Sequence, residues 1–236
     1  MVSWKNNNTL ESRKLVEEAL NPPKKPRKPR EIVARDKKHL RRLILGRIKS
    51  QGPSCDLNSI DVSNITDMSG LFSYVDFNGD ISQWDVSNVK NMSEMFKGST
   101  FNGDISNWNV SKVRDMSGMF NGSAFNGDIS NWNVRFVRDM SGMFKRSKFN
   151  GDISKWDVSN VGDMTSMFLG SEFNGDISGW DVSGARSMLM MFMGSKFSGD
   201  LSKWNVPRGT NMFDMFTSSR VEVKKRPARY INIYQR

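Results

Sequence analysis

Aspartates that recur every 24 residues are the first candidates for chemistry in this sequence. They precede an Ile-Ser or Leu-Ser pair: Asp80, Asp104, Asp128, Asp152, Asp176 and Asp200. A ladder of carboxylates could bind calcium, but the Gly-Gly-x-Gly-x-Asp calcium repeat is absent. Asp beside a turn more often accepts a hydrogen bond from the backbone two residues on. We therefore predict Asx turns here. The residue after each repeated tryptophan is Asp in some units and Asn in others, as expected if that position only needs to accept hydrogen bonds.

Serine, methionine, histidine and cysteine offer little further chemistry. The serines from Ser82 to Ser202 recur six times, but no base lies nearby in sequence to activate a nucleophile, so we expect internal hydroxyl ladders. Methionine could bind copper, yet the Met positions have the spacing of a core. His39 and Cys55 are the only residues of their types. We predict no catalytic residue, no metal site and no cofactor, and hence a protein that is not an enzyme.

A 24-residue repeat is the element that must position all these side chains. Its tryptophans are Trp84, Trp108, Trp132, Trp156, Trp180 and Trp204. Thirteen of the 16 methionines and thirteen of the 15 phenylalanines fall at four further repeated positions. A fixed period of this length is typical of a stacked solenoid, in which each unit buries its apolar faces against its neighbours.

Each unit is predicted to contain a short strand, a helical turn and a tight return. Ile81, Trp84 and Val86 have the spacing of a leucine-rich-repeat strand. Met92, Met95 and Phe96 follow at i, i+3 and i+4, with Asn91 in the place of an N-cap. The following Asn-Gly pair predicts the turn. The fold class is therefore a leucine-rich-repeat-like solenoid of short parallel strands and short helical turns.

The repeat motif Asp-Ile-Ser-x-Trp-Asp-Val-Ser-Asn-Val-x-x-Met-x-x-Met-Phe, found at residues 80–96 and 152–168, resembles the BspA-like leucine-rich-repeat family. The resemblance covers about residues 55–220. Such repeats are typical of surface proteins of mycoplasmas and other bacteria, and of many giant DNA virus proteins. The resemblance implies a non-enzymatic solenoid for binding or scaffolding. Because the N-terminus lacks the apolar stretch of a secretory signal, we expect a virion or intracellular location rather than secretion.

Four segments are predicted along the chain. Residues 1–30 form a basic, proline-rich arm, and residues 31–54 form an amphipathic helix that caps the first unit. Residues 55–220 form a solenoid of about seven units. Residues 221–236 form a basic tail in which alternation from Tyr230 to Tyr234 predicts a possible capping strand. The sequence has no run of about 18 apolar residues, so no transmembrane helix is expected.

The charge of the chain lies in its two ends. Residues 1–50 hold 15 basic and 5 acidic residues, and residues 221–236 hold 5 and 1, whereas the repeats hold 15 and 19. The arm could contact nucleic-acid phosphates or an acidic protein, or serve as a solvated linker. Its candidate residues are Lys24, Lys25, Arg27, Lys28 and Arg30.

Two breaks in the repeat pattern mark candidate partner-binding surfaces. Positions that are polar in the early units become apolar in the late ones, which creates an apolar patch formed by Leu169, Leu189, Met190, Met193 and Phe213. An exposed patch of this kind marks an interface, unless the C-terminal tail covers it. A basic stripe, interrupted by Gly162, consists of Lys90, Arg114, Arg138 and Arg186. It could meet an acidic partner or remain solvated.

The sequence as a whole therefore predicts a protein–protein interaction or scaffold protein. The setting we expect is a structural or minor capsid component in the virion of a large DNA virus, with capsid or scaffold subunits as partners. A nucleic-acid-associated protein that uses its basic arm and a bacterial BspA-like binding protein are the alternatives.

Overall fold

The computed structural model describes residues 32–234, so the basic arm predicted for residues 1–30 lies outside it. Its regular elements are strand β1 (Ile32–Val33), helix α1 (Lys37–Gln51), strand β2 (Ile60–Asp61), a 3-10 helix (Val223–Lys225) and helix α2 (Ala228–Tyr234). β1 and β2 pair in parallel, with Ile32 opposite Ile60 and Val33 opposite Asp61. The 24-residue units lie between β2 and the 3-10 helix.

Backbone hydrogen bonds join each 24-residue unit, here called a coil, to the next one. Isolated parallel bridges link residues 24 apart, from Asp67 and Asn91 to Ser187 and Asn211. Alternate N–H groups of one coil also donate to the next coil: Met92 to Asp115 (2.9 Å), Glu94 to Ser117 (2.7 Å), Phe96 to Met119 (2.9 Å) and Gly98 to Asn121 (2.8 Å). The coils therefore stack, and the chain is a repeat protein as predicted.

The repeated apolar residues form the core. Both phenylalanine columns and both methionine columns are at most 2% exposed, and each repeated tryptophan is at most 5% exposed. Rings from Phe72 to Phe216 stack along the coils with centroids 5.4–5.8 Å apart. The Nε1 atom of each of the six repeated tryptophans donates to a carbonyl 27 residues earlier, as Trp108 does to Ile81 (3.2 Å). The core predicted from the repeat is confirmed.

The strand predicted at Ile81, Trp84 and Val86 is wrong. The N–H of Trp84 donates to the carbonyl of Ile81 (3.1 Å), and the N–H of Val89 donates to that of Val86 (2.9 Å), so this segment consists of turns. The side chain of Asp80 also accepts the N–H of Ser82 (2.8 Å). These local bonds compete with extended backbone, and the parallel bridges form instead at the Asn91 position.

The helical turn predicted at Met92, Met95 and Phe96 is also wrong, although all three side chains are buried. Glu94 and Gly98 have φ values of 53° and 61°, in the left-handed region. A left-handed residue interrupts an α-helix, and the N–H groups that a helix would use internally reach the next coil. The Asn91 side chain accepts the N–H of Ser93 (2.8 Å), but because no helix follows, this bond forms an Asx turn and the predicted N-cap is wrong.

Helix α1 is shorter than the helix predicted for residues 31–54. Its N-cap is Asp36, whose side chain accepts the N–H of His39, and its C-cap is Gly52 with φ 89°. Leu40 and Ile44 are fully buried in the core. Ile32 and Val33, which lie within the predicted helix, form β1, because these β-branched residues pair with β2 before Asp36 starts the helix.

The capping strand predicted for the C-terminal tail is wrong, because Ala228–Tyr234 is helix α2. Pro227 precedes its first residue, a position that favours helix initiation. Tyr230 and Tyr234, four residues apart, lie on one face with ring centroids 5.1 Å apart. Tyr230 is buried edge-on against Phe216 at 4.8 Å, so the tail packs against the last coil.

Candidate protein-binding surfaces

The structure brings the five residues of the apolar patch together on the late coils. Phe213 is 54% exposed, and the other four residues are half-buried. The N–H of Met190 donates to the carbonyl of Phe213 (2.9 Å), and the N–H of Met193 donates to that of Met190 (3.2 Å). Leu189 stands one coil before Phe213, and Leu169 stands one coil before Met193. The patch is therefore continuous over three coils.

Met190 has an unusual backbone conformation for a bulky residue. Its φ is 54°, whereas the equivalent positions in other coils include Gly70, Gly118 and Gly142 with φ of 60–63°. A side chain in the left-handed region costs on the order of 1 kcal/mol. Glu94, Ser166 and Asp214 share this conformation in their coils. Glycine would fit position 190 with less strain, so methionine there is not a requirement of the backbone.

The described contacts of the C-terminal tail lie away from this patch. The N–H of Leu201 donates to the carbonyl of Lys225 (2.8 Å), and Lys225 Nζ donates to the carbonyl of Ser198 (3.3 Å). The Arg226 guanidinium lies 5.2 Å from the ring centroid of Phe216. In the part of the chain that the structure describes, no hydrogen bond or ring contact joins the tail to the five patch residues.

The basic stripe runs straight along the coils. Lys90, Arg114, Arg138 and Arg186 are all exposed. Each N–H of this column donates to the carbonyl of the preceding member, from Arg114 to Lys90 (2.9 Å) through Arg186 to Gly162 (2.9 Å). Within residues 32–234 none of the four side chains forms an ion pair. The stripe is thus a row of solvated cations, spaced by one coil, with one gap at Gly162.

A cleft of about 750 Å³ lies at that gap, and sequence reasoning missed it. Its lining includes Phe136, Gly162, Gly184 and arginines of neighbouring coils. Phe136 is 56% exposed. The signal was present in the sequence, because Phe136 replaces a polar residue of its column, Gly184 removes a side chain from that same column, and Gly162 removes one from the column two positions on. Only the folded chain brings these three positions to one depression.

The repeated aspartates form Asx turns, as predicted. The six carboxylates of the Asp80 column each accept the N–H two residues on at 2.8–2.9 Å. The pKa of Asp104 is lowered mainly by the hydrogen bond from the backbone N–H of Ser106, and the hydroxyl group of Ser106 lowers it further. The pKa of Asp128 is lowered in the same way by Ser130. These carboxylates therefore stabilise turns.

The internal hydroxyl ladder predicted for Ser82 to Ser202 is wrong. Those serines are half-buried or exposed, because they follow the aspartates in the surface turn. The buried serines form another column: Ser99, Ser123, Ser147, Ser171 and Ser195. Ser99 Oγ, for example, accepts the N–H of Phe101 (3.2 Å) and donates to the carbonyl of Val75 (3.2 Å).

The candidate residues of the basic arm lie outside the described residues: Lys24, Lys25, Arg27, Lys28 and Arg30.

Stacked 24-residue coils with a continuous aromatic and methionine core define the class: this is a repeat protein. The family described as "Mycoplasma protein of unknown function, DUF285" matches residues 47–148 and, in an overlapping second match, residues 123–227. The chain belongs to this family, which confirms the mycoplasma-type repeat that the motif indicated. Comparison with curated proteins and with solved structures gave no match.

The described helices are too short and too polar to cross a bilayer. Among residues 32–234, none combines the length and the apolar character of a membrane span.

Proposed function

We propose that the chain is a BspA-like, leucine-rich-repeat-related solenoid that acts as a non-enzymatic scaffold for protein–protein contacts. The observation that carries the proposal is the apolar patch. Its five residues replace polar residues or glycines of earlier coils, and Phe213 leaves more than half of its surface in water. An apolar surface of this kind is stabilised when a partner protein removes it from solvent.

Two settings follow from the resemblance. One is a minor capsid or other structural component in the virion of a large DNA virus, and the other is a bacterial BspA-like binding protein. The matched family is described from Mycoplasma, which supports the bacterial setting more directly. In both settings the partner is another protein of an assembly, and the patch would form the contact.

The patch is tested by the double variant Leu189→Ser with Met193→Ser. We expect loss of the cross-linked partner in the native source, identified by mass spectrometry, with thermal unfolding nearly unchanged because both side chains are only half-buried. Met190→Gly is an independent variant, since glycine suits φ of 54°. It too should weaken the cross-link without loss of stability.

Ser141→Ala with Lys145→Ser is the matched control, because these residues occupy the same two columns two coils earlier. It should leave the cross-link intact. A collapse of stability in the Leu189 and Met193 variant would place the patch inside the fold, and an unchanged cross-link would show that the partner binds elsewhere. Either result would overturn the proposal.

A nucleic-acid-associated protein is the alternative, favoured by the 15 basic and 5 acidic residues of the first 50. DNA binding that weakens steeply between 50 and 200 mM salt, roughly in proportion to the phosphates contacted, would support it. Deletion of residues 1–30 should then abolish that binding. Retention of the protein cross-link by the same deletion would separate the two functions.

A further inference from the structure

The cleft at Gly162 is a space that the fold does not require. A Cβ atom placed on Gly162 would meet no atom closer than 3.7 Å, which is ordinary van der Waals contact. Its φ is not in the left-handed region either. Four other coils carry a cation at this position, Lys90, Arg114, Arg138 and Arg186, and the two outermost coils carry Thr66 and Thr210. The missing side chain therefore opens a depression without being needed for chain packing.

Neighbouring Gly184 differs from Gly162, because its backbone approaches the preceding coil. A Cβ there would lie 2.2 Å from the carbonyl oxygen of Ser159, so only glycine fits. In the preceding coil the same column carries Asn160, whose Nδ2 donates to the carbonyl of Arg135 (3.0 Å). The two glycines thus form a recessed floor. Close packing requires glycine at position 184, whereas position 162 has room for a side chain.

The walls of the cleft offer an aromatic face and guanidinium groups. Phe136 projects on one side with 56% of its surface exposed. On the other side the Arg186 side chain passes over Gly162, with Cδ and Nε 3.9 and 4.0 Å from the position of a Cβ. Arg138 and Arg135 complete the basic lining. Aromatic rings and guanidinium planes both stack on an inserted aromatic ring.

The charges of the lining favour a neutral part of a ligand beside the two aspartates and acidic groups of that ligand beside the arginines. Asp139 and Asp163 also line the cleft, and each accepts a backbone N–H two residues on at 2.8 Å. They disfavour an anion there. Arg135 pairs with Asp157 at 3.8 Å, while Arg138 and Arg186 form no ion pair among residues 32–234. Their guanidinium groups remain available to carboxylates of a ligand.

We propose that this cleft binds an aromatic side chain of a partner protein that is flanked by acidic residues. The proposal rests on the proposed scaffold function and adds a second, chemically distinct contact to it. The ring stacks against Phe136 and Arg186 above the glycine floor, and the acidic flanks pair with Arg138 and Arg186 at the rim. A volume of about 750 Å³ is within the range of ligand-binding pockets.

The probe is a fluorescein-labelled peptide, Gly-Asp-Glu-Trp-Glu-Asp-Gly, titrated with the full chain and followed by anisotropy. We expect saturable binding that weakens at least about tenfold when Ala replaces the Trp, because buried aromatic anchors dominate such contacts. Binding should weaken similarly when Asn and Gln replace the acidic residues.

Gly162→Arg is the decisive variant of the chain. It fills the cleft and adds a positive charge, so pocket binding falls about tenfold or more, whereas unspecific electrostatic binding would strengthen. Gly179→Arg is the matched control, since it adds the same charge at an exposed glycine with no atom within 4 Å of a Cβ. It should leave the affinity unchanged or slightly higher. Phe136→Asn, which introduces the residue found at the equivalent positions Asn88 and Asn160, should weaken binding of the peptide.

Equal or tighter binding by Gly162→Arg would overturn the proposal, as would failure of the peptide to bind. Tighter binding of oligothymidylate at the same site would overturn it too, by assigning the cleft to single-stranded nucleic acid. The Leu189→Ser and Met193→Ser variant should bind the peptide normally. Failure of the peptide to bind while the partner cross-link persists would remove the cleft proposal and leave the scaffold function standing.

Discussion

The aspartates of the return turn act on the backbone, and their ionisation couples the fold to pH. Backbone N–H groups, then serine hydroxyls, lower the pKa of Asp104, Asp128 and Asp152 below the ordinary value of 3.8. A depressed pKa in the folded state means that the ionised carboxylate stabilises the fold. That contribution is present above about pH 4 and is lost as the pH falls through the folded-state values.

Replacing these three aspartates with asparagine should lower the urea midpoint at pH 7 only slightly, because the stabilisation by the charge is lost while the hydrogen-bond acceptor is kept. Asparagine keeps the acceptor oxygen, as Asn91 shows in an equivalent Asx turn (2.8 Å), and it removes repulsion between stacked carboxylates. The loss of stability below pH 4 should become shallower. Urea midpoints at pH 7 and pH 3.5 measure both effects.

Replacing the same three aspartates with alanine should lower the urea midpoint already at pH 7, because the acceptor is lost. If the asparagine and alanine variants were equally destabilised at pH 7, the charge rather than the acceptor would be the stabilising feature of the turn.

At the scale of elements, helix α1 closes the open end of the first repeated coil. In the stack, carbonyls of each coil accept N–H groups of the preceding coil. The first coil has no preceding coil to donate to its carbonyls. Arg41 Nη1 donates to the carbonyls of Gly70 and Leu71, both at 2.8 Å. Lys37 Nζ adds hydrogen bonds to Asp67 and Ser69. The helix therefore supplies cations and donors where the stack ends in acceptors.

Arg41→Met should destabilise the chain by roughly 1–3 kcal/mol, because it keeps most of the aliphatic stem but leaves the Leu71 carbonyl without its donor. The Gly70 carbonyl keeps the N–H of Ser73 (3.2 Å). Arg42→Met is the matched control, since Arg42 is the next residue and is exposed. It should change the free energy of unfolding by less than about 0.5 kcal/mol. Urea denaturation measures both, and equal effects would refute the capping role of Arg41.

At the scale of the whole molecule, the coils depend on one another through a shared ring stack. Phe144 contacts Phe120 and Phe168 of adjacent coils at centroid distances of 5.8 Å, and Phe149 at 4.3 Å. No coil can bury its faces alone, so stability arises from interfaces between neighbours. A substitution in the core of a central coil should therefore destabilise the coils before and after it.

Phe144→Ala should cost about 3–5 kcal/mol, the usual range for a fully buried phenylalanine. Hydrogen exchange should accelerate in coils before and after residue 144, and tryptophan fluorescence and circular dichroism should report one transition. Phe213→Ala is the matched control, because the same side chain is 54% exposed there, and it should cost far less. Exchange that accelerates only in the mutated coil would show that the coils unfold independently.

The 24-residue unit, the core columns, the Asx turns and a helix before the first coil could all be predicted from the amino-acid sequence. These follow from periodicity and local hydrogen bonding, which depend on residues close in the chain. The tertiary structure decided the path within each coil, because left-handed residues such as Glu94 and Met190 send N–H groups to the next coil instead of into a helix. It also decided that Tyr230 belongs to a helix against Phe216, and that Phe136, Gly162 and Gly184 meet in one cleft. Such features depend on contacts between different coils, or between the last coil and the tail, which the pattern of a single unit does not encode.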